Sequence, residues 1–157
     1  MKSNQVYSAI VEEFGEKLDE LKEAVLVHEI EKFRRMTLET LSTAQEVIEF
    51  VCERTDVSTS SLTGNARHKN VVEARQMIWW MLQNKIVPNN LTCVTLGRMF
   101  NKDHATVIHG VNKINDIISI DGSFRDTLMM AVNHFGKKTE WNPKTKTLKI
   151  IESYVNS

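Results

Sequence analysis

The stretch LGRMFNKDHATVIHGVNKI, Leu96–Ile114, decides the fold of this chain. Its second half predicts a helix, because apolar residues recur at spacings of four, three and four residues, as they do on one helical face. These residues are Val107, Val111, Ile114 and Ile118. The first half is unusual for such a helix, since the turn from Asp103 to Thr106 places three hydrogen-bonding side chains directly after Lys102. A short helix, a tight turn and a second helix with a polar start is the layout of a helix-turn-helix motif.

The polar start has the chemistry needed to contact base edges in a DNA major groove. His104 can donate to or accept from a base, and Ala105 is small enough to meet a thymine methyl. Thr106 offers a hydroxyl and a methyl, and Asp103 can cap the helix and accept from an amino group of cytosine or adenine. Lys102 and the free N–H groups of the first turn favour a phosphate. The alternative is that Asp103 is only an N-cap and His104 only a solvated surface residue.

The charge of the chain is unevenly distributed although its formal net charge is 0. Residues 1–41 carry six basic and nine acidic residues, and residues 42–61 carry one and four, so each segment has a net charge of −3. Residues 62–116 carry seven and three, a net of +4, and residues 117–157 carry six and four, a net of +2. The excess of basic charge around the polar helix start indicates a polyanionic partner.

Composition narrows the class of protein further. A chain of 157 residues that is 41% hydrophobic and 25% charged suits a globular domain with an appendage. Cys52 and Cys93 lie among apolar neighbours, which favours free thiols in a reducing compartment over a disulfide or a catalytic thiol. No apolar run has the length of a membrane span, and the first residues lack a signal-peptide core. We therefore expect a cytoplasmic, nucleoid-associated protein without a membrane partner.

The remaining pattern predicts an all-α fold with three parts: an acidic amphipathic extension at 1–41, a helical domain at 42–135 and a tail at 136–157. In the extension, residues 5–36 show a stripe that slips in phase once. It comprises Tyr7, Val11, Phe14, Leu18, Leu21 and Val25, then Leu26, Ile30 and Phe33. This helix either packs on its own domain or binds a second copy or another protein.

Helix starts and a core follow from local signals in the middle of the chain. Capping residues are expected at Thr43 with Glu46, Asn70 with Glu73, Thr92, Asp103, and Ser123 with Asp126. The helix after Asn70 is the most apolar, and its core positions should be Val71, Ala74, Ile78, Met81 and Leu82. Trp79 and Trp80 are expected to pack in the core rather than form a binding platform. The turn signal Asn142–Thr145 allows a hairpin in the tail.

The opening stretch resembles the signature of the C-terminal DNA-binding domain of DnaA, the bacterial replication initiator. Matching positions are Gly97, Phe100, Asp103, His104, Thr106, Val107, His109, Lys113 and Ile114. The upstream segment ARHKNVVEARQMIWWML resembles the same family's basic loop and the helix that follows it. The likeness covers about residues 43–135. It implies a helix-turn-helix bundle of the DnaA C-terminal or Trp-repressor-like type, and double-stranded DNA with a DnaA-box-like site as partner.

The resemblance also implies roles for single residues. Arg67 stands where the family places an arginine in the minor groove, and the base-reading turn matches Asp103, His104, Ala105 and Thr106. The expected contacts to the DNA backbone are His68, Lys69, Arg75, Gln76 and Lys102. The alternative for Arg67 and Lys69 is that they are solubilising charge alone.

Three departures from the family pattern bear on how the DNA would be read. Ala105 stands where the family has the first threonine of a pair, so one hydroxyl is lost. The loop KIVPNNLT is longer than in the family, and Asn101 replaces a glycine pair with one residue fewer. No GxxxxGK[ST] phosphate loop occurs in these residues. We therefore expect a stand-alone DnaA-like protein without an ATPase module, no nucleotide and no ATP-driven melting by this chain.

Three classes of function compete. A sequence-specific DNA binder that acts in replication-origin binding or in regulating replication initiation is favoured, with a transcriptional regulator on the same fold as its alternative. A protein-interaction module that has lost DNA binding is the second class. An enzyme is disfavoured, because His104 and His109 diverge by about 140° around a helix, which is poor geometry for a shared metal. The sequence accordingly predicts no catalytic residue, metal or cofactor.

Overall fold

The fold is known from a computed structural model that describes the backbone of residues 2–151 and the side chains of 8–151 other than 37, 40 and 42. Tyr7 of the predicted stripe and residues 152–157 of the tail therefore lie outside the described side chains. The elements in chain order are α1 (Lys2–Thr55), a 3-10 helix (Thr59–Thr63), α2 (Lys69–Gln83), α3 (Cys93–Met99), α4 (His104–Ile120), α5 (Gly122–His134), β1 (Lys138–Asn142) and β2 (Thr147–Ile151). The prediction of an all-α fold is confirmed, because the two strands form only a small appended hairpin.

Residue contacts divide the chain into two compact units, 1–39 and 40–157. In the first unit, α1 is helical and the apolar side chains along it are exposed, from 40% for Leu18 to 68% for Phe14. Among the residues that the structure describes, no helix is both long and apolar enough to cross a membrane.

The prediction that Thr43 caps a new helix is wrong, because α1 continues without a break to Thr55. No glycine or proline stands between Met36 and Thr55 to interrupt it. The Thr43 hydroxyl donates instead to the Pro88 carbonyl oxygen at 3.1 Å, a partner 45 residues away. From Ala44 onward the helix buries apolar side chains in the core of the second unit: Ala44, Val47, Ile48, Val51 and Cys52. Burial also raises the pKa of the Cys52 thiol, which disfavours a reactive thiolate there.

Helix α2 supplies the centre of this core, as the sequence predicts. Its expected core positions are all buried, and Trp79 and Trp80 are only 1% and 2% exposed. The Trp80 indole donates to the Asn115 side-chain oxygen at 2.9 Å, so this tryptophan packs in the core and keeps its hydrogen bond. Cys52 and Cys93 are free, as predicted.

Two of the remaining predicted helix starts are confirmed and two are wrong. Thr92 caps α3 by accepting from the Thr95 amide, and Asp103 caps α4. Helix α2 begins at Lys69 after His68, so Asn70 lies inside it and cannot cap it. Helix α5 begins earlier than predicted, because the Asp121 carboxylate accepts from the Phe124 amide at 3.1 Å. Ser123 is therefore a helical residue.

Close backbone contacts fix α4 against its neighbours. A Cβ built on Gly110 would lie 2.7 Å from the Trp79 ring, so only glycine lets α4 approach α2 this closely. A Cβ on Gly97 of α3 would lie 2.5 Å from the Lys102 carbonyl oxygen. Asn101, in the turn between α3 and α4, adopts φ = 57°, a left-handed conformation that asparagine tolerates. These contacts set the angle of the helix-turn-helix.

The tail forms an antiparallel hairpin, which confirms that prediction. The Asn142 side chain accepts from the Lys144 amide at 2.9 Å and closes the turn. Trp141 pairs with Leu148 across the strands, and both pack on the domain core. The Arg125 guanidinium of α5 stacks on the Trp141 ring at 3.5 Å from its centroid, so a cation–π contact joins hairpin and domain.

Candidate nucleic-acid interface

The first turn of α4 presents all four residues of the predicted base-reading turn to solvent: Asp103, His104, Ala105 and Thr106. One oxygen of Asp103, Oδ1, accepts from the Thr106 amide at 2.8 Å and from the Thr106 hydroxyl at 2.6 Å. These hydrogen bonds, led by that from the hydroxyl, lower the pKa of Asp103 below its ordinary value. The cap is therefore ionised and held in one orientation at neutral pH.

This pairing limits what each side chain can offer a base. The Thr106 proton is already committed to Asp103, so its hydroxyl can accept from an amino group and its methyl can meet thymine. The second oxygen of Asp103, Oδ2, accepts no hydrogen bond within the described part of the chain, so it can accept from a base that carries an amino group. His104 is exposed and remains the one side chain of the turn that can donate as well as accept.

A groove of about 450 Å³ lies between α2 and α4. Its lining includes Arg67 and Lys69 of the predicted basic loop, and we call residues 65–69 of this loop the basic arm. Its polar lining consists of Arg67, Lys69, Gln76, His109 and Lys113, with Glu73 as the one acidic residue among those that line it. Arg67, His68 and Lys69 are exposed, and Gln76 is half-buried. The structure thus brings Arg67, Lys69 and Gln76 to one groove, with positive charge in excess.

His109 was not assigned to the site from the sequence, and for Lys113 a phosphate contact and plain surface charge were equal alternatives, yet the groove includes both. They are four residues apart on α4 and therefore share one face of the helix. That spacing is the signal that could have found them. Among the described residues, no group of three His, Cys, Asp or Glu side chains could hold a metal ion.

Arg75 and Lys102, expected at the DNA backbone, make intramolecular hydrogen bonds. Arg75 is only 6% exposed, and its Nε donates to the Leu62 carbonyl oxygen at 2.9 Å. Burial lowers the pKa of its guanidinium, which nevertheless stays charged. The half-buried Lys102 donates from Nζ to the Gly64 carbonyl oxygen at 2.9 Å. Because it is buried, the Arg75 guanidinium offers little accessible surface to a phosphate.

The central segment of the chain is similar to known proteins. Residues 44–114 match the family model of the bacterial dnaA protein helix-turn-helix. The chain is 31% identical over 88 residues to the chromosomal replication initiator protein DnaA of Leptospira biflexa, which is 56% of this chain and 19% of that protein. It is 34% identical over 83 residues to DnaA of Lachnoclostridium phytofermentans, which is 52% of this chain and 18% of that protein.

The chain spans less than a fifth of the length of these two relatives. The family model covers the end of α1, α2, α3 and the first part of α4. Most of α1, together with α5 and the hairpin, lies outside it.

Proposed function

We propose that this chain binds double-stranded DNA in a sequence-specific manner at a DnaA-box-like site, because residues 44–114 match the family model of the bacterial dnaA protein helix-turn-helix. The observation that carries the proposal is the arrangement on α4. Its exposed first turn offers base-reading side chains, and its next turns form one wall of a cationic groove. The relatives are named as replication initiators, which supports a role in origin binding or in regulating replication initiation. The role is binding without catalysis, at nucleoid DNA in the cytoplasm.

The proposed docking places the first turn of α4 in the major groove and Arg67 in the adjacent minor groove. His104 and Thr106 read base edges, and Ala105 packs against them. His68, Lys69 and Gln76 hold phosphates near the start of α2, with His109 and Lys113 on the facing wall. The groove residues therefore fix the register of the protein on the DNA, and the first turn of α4 reads the base sequence.

A pair of substitutions separates these two kinds of contact. A good base contact contributes about 1–3 kcal/mol of discrimination, so His104→Ala should lower the ratio of specific to random-DNA affinity about five-fold or more. Lys69→Ala should weaken both affinities alike and flatten the salt dependence by about one unit of slope, while Lys69→Arg should preserve both. Competition binding after selection of sites from a random duplex library measures this. Equal loss of both affinities in His104→Ala would contradict base reading.

The same selection distinguishes replication from transcription as the output. Selected sites that coincide with clustered origin-like repeats support a role at origins, whereas isolated sites beside promoters support a transcriptional regulator. Failure of the chain to bind any duplex at low salt would favour a protein-interaction module.

We also propose that the exposed stripe of α1, within residues 5–36, binds a second copy of the chain or another protein. Its described side chains from Val11 to Phe33 are large, apolar and mostly more than half exposed. Burying such side chains stabilises association by about 1.5–3 kcal/mol for each one fully buried.

The association should depend on the stripe and not on the charge beside it. Leu18→Glu together with Leu21→Glu should reduce self-association at least ten-fold, measured by analytical ultracentrifugation, because each buries a charge in the contact. Glu16→Gln with Glu20→Gln, on the polar side of the same helix, is the control. A monomeric wild-type chain would leave a heterologous protein as the partner.

A further inference from the structure

The carbonyl of Gly64 links the basic arm to the turn of the helix-turn-helix. Lys102 donates to it from Nζ at 2.9 Å, and Arg75 donates to it from Nη2 at 3.4 Å. Arg75 also donates from Nε to the Leu62 carbonyl oxygen at 2.9 Å. We propose that Lys102 and Arg75 are positioning residues, which hold the arm at a fixed distance from the first turn of α4. This inference rests on the proposed DNA binding, because the arm matters only if Arg67 enters a groove.

The two ends of this link lie next to the groups that would read DNA. Gly64 precedes Arg67 by three residues, and Lys102 precedes His104 by two. A shift of either end would therefore move a base-reading side chain by a comparable amount. Minor-groove and major-groove contacts of one protein must fit one duplex at the same time, so the spacing between them governs affinity.

Close backbone contacts and burial hold both ends of this link in place. The Lys102 amide donates to the Gly97 carbonyl oxygen at 2.7 Å, and the Lys102 carbonyl sits against the Cα of Gly97. Arg75 belongs to α2 and is buried, so its guanidinium reaches the loop from a fixed helix. Leu62, whose carbonyl it holds, is 2% exposed and anchors the 3-10 helix in the core. The Gly64 carbonyl at the start of the loop that carries Arg67, and the Leu62 carbonyl in the 3-10 helix before it, are thus both held by hydrogen bonds.

A direct phosphate contact by Lys102 is the competing role, and it makes a different prediction. A residue that contacts DNA by itself contributes equally whether or not the arm is intact. A residue that acts through the arm loses its effect once Arg67 is removed. The two roles therefore differ in a double-mutant cycle.

The cycle uses Lys102→Met, which keeps the apolar stem and removes the donor, in the full-length chain with and without Arg67→Ala. Lys102→Met should weaken binding to the selected duplex about ten-fold alone, but less than about two-fold in the Arg67→Ala background. It should also reduce the preference for A·T over G·C at the position read by the arm, which a contribution to stability alone would not do. Lys102→Arg, which keeps a donor, should restore most of the affinity.

Lys85→Met is the matched control, because Lys85 also donates from Nζ to a backbone carbonyl oxygen, that of Asn89 at 3.0 Å, but does not line the groove. Affinity should not change in this variant. An equal loss on Lys102→Met in both backgrounds would overturn the proposal, since it would show that Lys102 contacts DNA directly.

A measurement on the free protein separates failure of this inference from failure of DNA binding. Lys102→Met should lower the NMR order parameters of the amides of Asn65, Ala66 and Arg67 while those of α2 stay unchanged. Arg75→Lys, which keeps the charge and is less disruptive than truncation, should do the same. Unchanged order parameters in both variants would overturn the proposal that Lys102 and Arg75 are positioning residues. Absence of duplex binding by the wild-type chain would refute only the proposed function.

Discussion

At Asp103 a single carboxylate oxygen fixes the first turn of α4, and its ionisation can be tested. The Thr106 hydroxyl and amide both donate to it, and these bonds favour the charged form, so the folded pKa lies below the unfolded one. A depressed carboxyl pKa contributes stability above the unfolded value of about 3.9, and that stability is lost as the pH falls through the folded pKa. The cap should therefore persist to lower pH than an unpaired aspartate would allow.

Thr106→Val should raise the pKa of Asp103 towards its ordinary value, because it removes the hydroxyl that makes the largest contribution to the depression. His104→Ala should change the pKa far less, since the charge of His104 is the smallest of the contributing causes. NMR titration of the Asp103 carboxyl carbon measures both. An unchanged midpoint in Thr106→Val would show that the hydroxyl does not bond the carboxylate in solution.

Single residues were predictable from sequence where their partners are near in the chain. Asp103 and Thr92 cap helices through amides three residues on, so their spacing alone identifies them. Asn70 has the same local pattern but lies inside α2, because the helix already starts at Lys69. Arg75 could not be assigned from its spacing, since its hydrogen-bond partners lie 13 and 11 residues away, in the 3-10 helix and directly after it.

At the scale of elements, the packing of α4 on α2 depends on Gly110. Gly110→Ala should destabilise the domain by about 1–3 kcal/mol, because the added methyl overlaps the buried Trp79 ring. If α4 moves aside to accommodate it, affinity for the selected duplex should fall as well. Urea unfolding and duplex binding together measure the effect.

Gly122→Ala is the control for this prediction. Its Cβ would meet only the Arg125 guanidinium at 3.9 Å, so alanine at the start of α5 should leave stability unchanged or raise it by up to about 1 kcal/mol. A Gly110→Ala protein as stable as this control would contradict the close approach of α2 and α4.

The kinds of elements were predictable because their signals are periodic, whereas some boundaries were not. The stripes of α2 and α4 and the turn at Asn142 predict two helices and a hairpin that the structure contains. The continuity of α1 through Thr43 was missed, because a capping pattern is also compatible with a helix interior when the hydroxyl finds a partner elsewhere. That partner, Pro88, belongs to a loop whose position sequence alone does not give.

At the scale of the whole molecule, the acidic and basic charges are separated along the chain. The groove between α2 and α4 is lined by more basic than acidic side chains. Its lining includes Arg67, Lys69 and Lys113 against Glu73 alone. The charge asymmetry between segments was visible in the sequence, but the position of Glu73 inside the groove follows only from the packing of α2 on α4. Glu73 should repel phosphates without reading bases.

Glu73→Gln should therefore tighten binding to specific and random duplexes alike, by a few-fold at low salt, since partly exposed charges contribute about 0.2–1 kcal/mol. The gain should shrink as salt is raised from about 50 to 200 mM, because screening weakens the repulsion that it removes. Glu53→Gln, which removes the same charge from an exposed position of α1 outside the groove lining, is the control. Fluorescence anisotropy across this salt range measures both variants. An equal gain in the control would show that overall charge, and not the groove between α2 and α4, attracts the DNA.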